Sequence, residues 1–93
     1  MATAQEEMQV KQLVREAMTE QGVSAETLIS LGQMAQDVLK DKSLYPQFIQ
    51  AIIDSDLAEE GDIPLDIDYQ LIGVFVVIGE MTKKMIASGE LGE

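Results

Sequence analysis

The side chains in this chain with chemistry to offer are mostly carboxylates. Asp54, Asp56, Glu59, Glu60, Asp62, Asp66 and Asp68 all fall within positions 54–68, with no lysine or arginine among them. Such a cluster points first to calcium, which takes six to eight oxygen ligands. Counted from Asp56, an EF-hand loop would place Gly61 correctly but would put Ala58 and Ile67 at positions that must supply oxygens. Counted from Asp54, Glu59 takes the glycine position and Leu65 the final ligand position. Neither register works, so 54–68 reads as a solvated acidic loop, and no metal or other cofactor is expected. Acid–base catalysis would need a carboxyl whose pKa is raised by burial. Glu80 is the one acid inside the apolar C-terminal stretch, but Lys83 and Lys84 follow at helical spacing and read as its ion-pair partners. Ser24, Ser43 and Ser88 have no histidine to activate them, and there is no cysteine to act as nucleophile or zinc ligand. Gly73 and Gly79 sit in a hydrophobic run without a nearby base, which is no phosphate loop. An enzyme is not expected.

Asp54-Ser55-Asp56-Leu57 resembles, in composition, the acidic serine-bearing segment of acyl carrier proteins. That family carries its phosphopantetheine serine in an Asp-Ser-Leu motif that opens a helix. Here Asp56 stands where the leucine would be and the segment closes a helix, so the family is not assigned. Charge narrows the field further. Seventeen acids against six bases give a net charge of −11. A direct nucleic-acid binder needs lysine and arginine to displace counterions, and an anionic membrane would repel this chain. The longest apolar run, 71–79, is well short of the roughly 20 residues a membrane span requires. Acids stand near the N-terminus where a secretory signal would carry bases, so a cytoplasmic location is expected.

The elements that would position these groups are helical, within a single domain spanning 1–93. Thr3 and Glu6 form a capping box for a first helix whose stripe is Val10, Leu13, Val14, Ala17 and Met18, closed at Gly22. Ser24 caps a second helix with Leu28, Leu31, Ala35 and Val38 facing inward and Lys40 and Lys42 at its end. Gly32 within it costs about 1 kcal/mol against alanine and permits close approach of a neighbour. The short Gly22-Val23 link predicts that the first two helices lie as an angled or antiparallel pair. Pro46 belongs in the first turn of a third helix, capped near Ser43 or Leu44, with Leu44, Tyr45, Phe48, Ile49, Ile52 and Ile53 on its apolar side. It fades at Asp54-Ser55. An extra turn at 57–60, ended by Gly61, is the alternative to a plain loop.

Asp66 or Asp68 caps the last helix, which runs to about Ser88 and stops at Gly89. It carries two apolar stripes: Leu71, Val74, Phe75, Ile78, Met81 and Met85, then Ile72, Val76, Gly79 and Ile86. A buried strand over 71–78 is the alternative, since valine and isoleucine are dense there, but the pattern continuing through Met81, Met85 and Ile86 favours helix. The fold class is therefore all-α, a small bundle of four helices, or five with the extra turn, with a largely buried C-terminal helix.

A bundle normally buries one stripe per helix, so the doubled stripe predicts an apolar surface shared with another chain. The expected function is a non-enzymatic protein–protein interaction module, such as a small adaptor, assembly or phage-type accessory protein. It would dock on a larger partner or self-associate, a homo-oligomer with a dimer favoured, through Leu71, Ile72, Phe75, Val76, Met81 and Met85. Met34, Met81 and Met85 could serve an adaptable surface, but core filling is the commoner use of methionine and the preferred reading. The alternative is an acidic, DNA-mimic-like decoy that occupies a nucleic-acid-binding protein through Asp54, Asp56, Glu59, Glu60 and Asp62.

Overall fold

The computed structural model describes residues 4–63 and 66–91, with the backbone alone at Glu60. Its elements are α1 (Ala4–Thr19), α2 (Ala25–Lys40), α3 (Tyr45–Asp54) and α4 (Tyr69–Ala87), with short 3-10 turns at Lys42–Leu44 and Glu60–Asp62. The fold is a small all-α bundle, and no strand occurs among the described residues. The stretch 71–78 is helix. Its valines and isoleucines favour a strand locally, but a cap before it and an apolar pattern continuing beyond it override that preference.

Most helix ends follow from residues within a turn of them. Thr3, the expected cap of α1, lies outside the described residues. Gly22 takes φ 70°, and across it the Val23 N–H reaches back to the Ala17 carbonyl at 3.1 Å. The Ser24 hydroxyl accepts from the Thr27 N–H at 3.2 Å and opens α2. Asp68, rather than Asp66, opens α4 by accepting from the N–H groups of Gln70 and Leu71 at 3.0 and 3.2 Å. Pro46 falls in the first turn of α3, where its missing N–H is harmless. Leu44 precedes α3 without a side-chain cap. The cap lies earlier, where the Asp41 carboxylate accepts from the Ser43 hydroxyl at 2.7 Å and its N–H at 3.1 Å and sets the 3-10 turn. Those two bonds, the hydroxyl first, hold the Asp41 carboxyl below its usual pKa.

The ends of α3 and α4 share one closure. At α4, Gly89 is left-handed with φ 80°, and the N–H groups of Gly89 and Glu90 bond to the carbonyls of Ile86 and Met85. At α3, the same pattern joins Asp56 to Ile53 and Leu57 to Ile52, but the left-handed residue is Asp56, at φ 60°. Leu57 is thereby turned inward onto both halves of the core. The extra turn expected at 57–60 forms slightly later, at Glu60–Asp62, where the side chains of Glu59 and Asp62 cap each other's backbone N–H.

Helix α4 is the central element, packed most extensively on α2 and then on α1. The α2 crossing is a backbone contact. A Cβ added at Gly32 would stand 2.7 Å from the Gly79 Cα, and one at Gly79 would stand 2.8 Å from the Gly32 Cα. Around this crossing the core divides in two. Leu31, Ala35, Val38, Tyr45, Phe48, Ile52, Ile63, Ile72 and Phe75 join α2, α3 and the first half of α4. Phe48 meets Phe75 edge-to-face with centroids 5.5 Å apart, the arrangement ring quadrupoles favour. Val14, Val23, Leu28, Met81 and Met85 join α1, the start of α2 and the second half of α4. Thr82 is fully buried, and its hydroxyl donates to the Ile78 carbonyl at 2.7 Å, so that hydroxyl is not stranded. The main neighbour of α1 is α4, rather than α2 as the short link suggested, because Val10, Val14, Ala17 and Met18 of its stripe pack in the cluster around Met81 and Met85, while Leu13 stays 47% exposed.

Candidate interaction surface

Four of the six apolar residues expected to meet a partner lie in the interior. Ile72 and Met85 are fully buried, and Phe75 and Met81 are nearly so. Leu71 and Val76 are half-buried. The physical reason is the central position of α4. A helix covered by α2 on one side and α1 on the other buries a broad arc within its own chain, so the doubled stripe needs no second protein. Met34 is half-buried against the same core. The methionines of α2 and α4 are therefore core filling.

What α4 leaves outside is a different set. Val74 and Val77 are 43% and 48% exposed, Gly73 is open to solvent, and Val76 sits at the edge. Beside them runs a groove between α1 and α4, with Val10, Val76, Val77 and Met81 as its apolar lining and Glu6, Glu7, Glu80 and Lys84 around it. Its volume is about 170 Å³. Small-molecule pockets are usually roughly 300–1,000 Å³, so this one suits one or two aliphatic side chains better than a metabolite. Glu80 is half exposed, accepts from Gln36 Nε2 at 3.3 Å and lies 3.9 Å from Lys83 Nζ. It is thus a surface ion-pair residue, joined to Lys83. Sequence reasoning passed over Val10 and Val77 as partner residues. The available signal was that Val77 belongs to neither apolar stripe: an aliphatic residue on the polar arc of a helix has no place in the core.

The acidic residues lie elsewhere. Asp54, Asp56, Glu59 and Asp62 are all exposed, and no ion pair found among the described residues reaches them. The side chain of Glu60 lies outside the described residues. Asp54 accepts from Gln50 Nε2 at 2.9 Å, and Glu59 and Asp62 serve the local cap. Asp54 and Asp56 also border an open cleft of about 340 Å³ with Gly22, Ser24, Thr27 and Ser55. The Ser55 hydroxyl donates to the Ala51 carbonyl at 2.8 Å and closes α3. Among the described residues, no three metal-ligating side chains come together.

Several bases have partners outside positions 54–62. Glu90 draws Lys11 Nζ to 3.0 Å and Arg15 to 3.7 Å, and it accepts from the Ser88 hydroxyl at 2.8 Å. The hydroxyl, then the Lys11 ammonium, hold the Glu90 carboxyl below its usual pKa. Lys42 stands 5.5 Å from the Tyr69 ring centre, and the Tyr69 side chain raises its pKa through hydrogen bonding and then charge. Burial raises the pKa of the Tyr45 hydroxyl, on a residue that is only 4% exposed. Ser43 and Ser88 donate their hydroxyls to the carboxylates of Asp41 and Glu90, and Ser55 donates to a backbone carbonyl, each at a helix end. Among the described residues, no helix is long and apolar enough to cross a membrane. No protein-family model, curated protein or solved structure matches the chain.

Proposed function

We propose that this chain is a non-enzymatic, acidic helical module that works by protein–protein contact, in the manner of a small adaptor or assembly protein. The observation behind this reading is the exposed Val74 and Val77 beside the Val10–Val76 groove, on a helix whose opposite side is consumed by the fold. Isolated surface valines are ordinary, but aliphatic residues continuous with a groove between two helices are a recognition feature. Docking on a larger partner and self-association as a dimer would both use this face. Light scattering over a wide concentration range, at low and high salt, separates the two: a dimer dispersed by Val77→Asp means self-pairing, and a monomer throughout means a foreign partner.

A second reading is favoured by one observation, the four exposed carboxylates in 54–62 without an ion pair among the described residues. An acidic surface of this kind steers basic proteins and could act as a decoy for a nucleic-acid-binding site. Cross-linking in extracts of the source cells, with two variants, distinguishes the readings. Partners lost on Val77→Asp but kept when Asp54, Asp56, Glu59, Glu60 and Asp62 become amides support the module. The reverse pattern supports the decoy. Absence of a specific partner for the unaltered chain, together with a monomer in solution, would sink both.

A further inference from the structure

Resting on the module reading, we infer that the α1/α4 groove takes a basic amphipathic helix from another protein. The lining is aliphatic and lies between two helices, a shape that receives the apolar side chains of a third helix at successive turns. Gly73, one turn before Val77, has nothing beyond its own helix backbone and chain neighbours within 4 Å of where its Cβ would stand. The surface is therefore low beside Val77 and lets a helix approach closely, as Gly79 lets α2 approach on the other side. The charges choose the kind of helix. Glu6, Glu7 and Glu80 border the groove against Lys84, with Lys83 paired to Glu80, so Glu6 and Glu7 carry the local excess of negative charge, and the whole chain carries −11. A second copy would bring like charge to like charge, whereas lysines or arginines flanking an apolar stripe would meet carboxylates.

The test is a titration of the 15N-labelled chain, followed by NMR, with three synthetic peptides of about 18 residues, five helical turns. One has leucines at helical spacing among lysines, one has the same composition scrambled, and one has glutamates in place of the lysines. The expected result is that the patterned Leu/Lys peptide moves the amides around Val10 and from Gly73 to Lys84. It should bind about tenfold or more tightly than either other peptide. Val77→Asp should weaken it about tenfold without moving the urea midpoint. Equal binding by the scrambled peptide, or shifts confined to 54–62, would reduce the effect to bulk charge attraction and overturn the inference. Equal binding by the Leu/Glu peptide, or self-association shifting the same amides without peptide, would also overturn it while leaving the module reading in place. A groove untouched by any peptide and by a second copy would remove both.

Discussion

The two sides of α4 are built from similar residues and treat their neighbours differently. Towards α2, Gly79 meets Gly32 backbone to backbone, with Phe75 and Ile72 packed into the core beside the contact. Towards α1, the contact is made by side chains, Val14 against Met81 and Met85, and it opens at one edge into a groove with Val77 exposed. A crossing at backbone distance has no slack, so it fixes the geometry of the fold. A contact through valine and methionine side chains leaves a surface that a partner can use.

Substitutions should break that contrast unequally. Gly79→Ala should have the largest effect, because its Cβ would strike the Gly32 Cα, which has no rotamer to move away. A loss of about 3 kcal/mol or more in urea unfolding is expected, at the upper end for overpacking. Val14→Ala, on the α1 side, removes two fully buried methyl groups and should cost about 2 kcal/mol in the same assay. Gly73→Ala makes the same change as the first, in the same helix, with the opposite sign. Its Cβ meets open space, so a gain of about 1 kcal/mol is expected from helix propensity alone. If Gly73→Ala also weakens the basic peptide, the close approach proposed there is supported.

The smaller effects lie at the helix ends. Asp56→Gly should add about 0.5–1 kcal/mol, since glycine adopts the left-handed conformation more readily than aspartate. Glu90→Gln should lower stability at neutral pH by loosening Lys11, Arg15 and Ser88 from the end of α4. The folded pKa of Glu90 is depressed, so its stabilisation is fully present above the ordinary glutamate value and fades as pH falls through the folded value. Urea midpoints of the two proteins should therefore differ at pH 7 and converge in acid. A difference that persists once the Glu90 carboxyl is protonated would mean that the contact is not electrostatic.

Much of the secondary structure was readable because its determinants are local. Ser24, Pro46, Asp68 and Gly89 act on residues within about one turn, and each lies where its chemistry predicts. Asp41 was readable on the same grounds, as an aspartate two residues before a serine, but an apolar reading centred on Pro46 passes over it. Asp56 was harder, since aspartate merely tolerates the left-handed region that glycine announces. The Glu90 clasp was not readable at all. Its partners, Lys11 and Arg15, lie near the other end of the chain, and no local pattern links them.

By itself the sequence determined an all-α chain, the positions of its helix breaks, an acidic surface and the lack of histidine and cysteine. Periodicity also determined the angular position of each side chain around its own helix axis. It could not say which neighbour would stand at that angle. Only the tertiary structure decided that α4 would lie at the centre, that Gly32 would find Gly79, and that Ile72, Phe75, Met81 and Met85 would turn inward while Val74 and Val77 stayed outside. Covering a stripe requires contacts between residues far apart in the chain, and those are selected by the packing of the whole bundle rather than by any one helix.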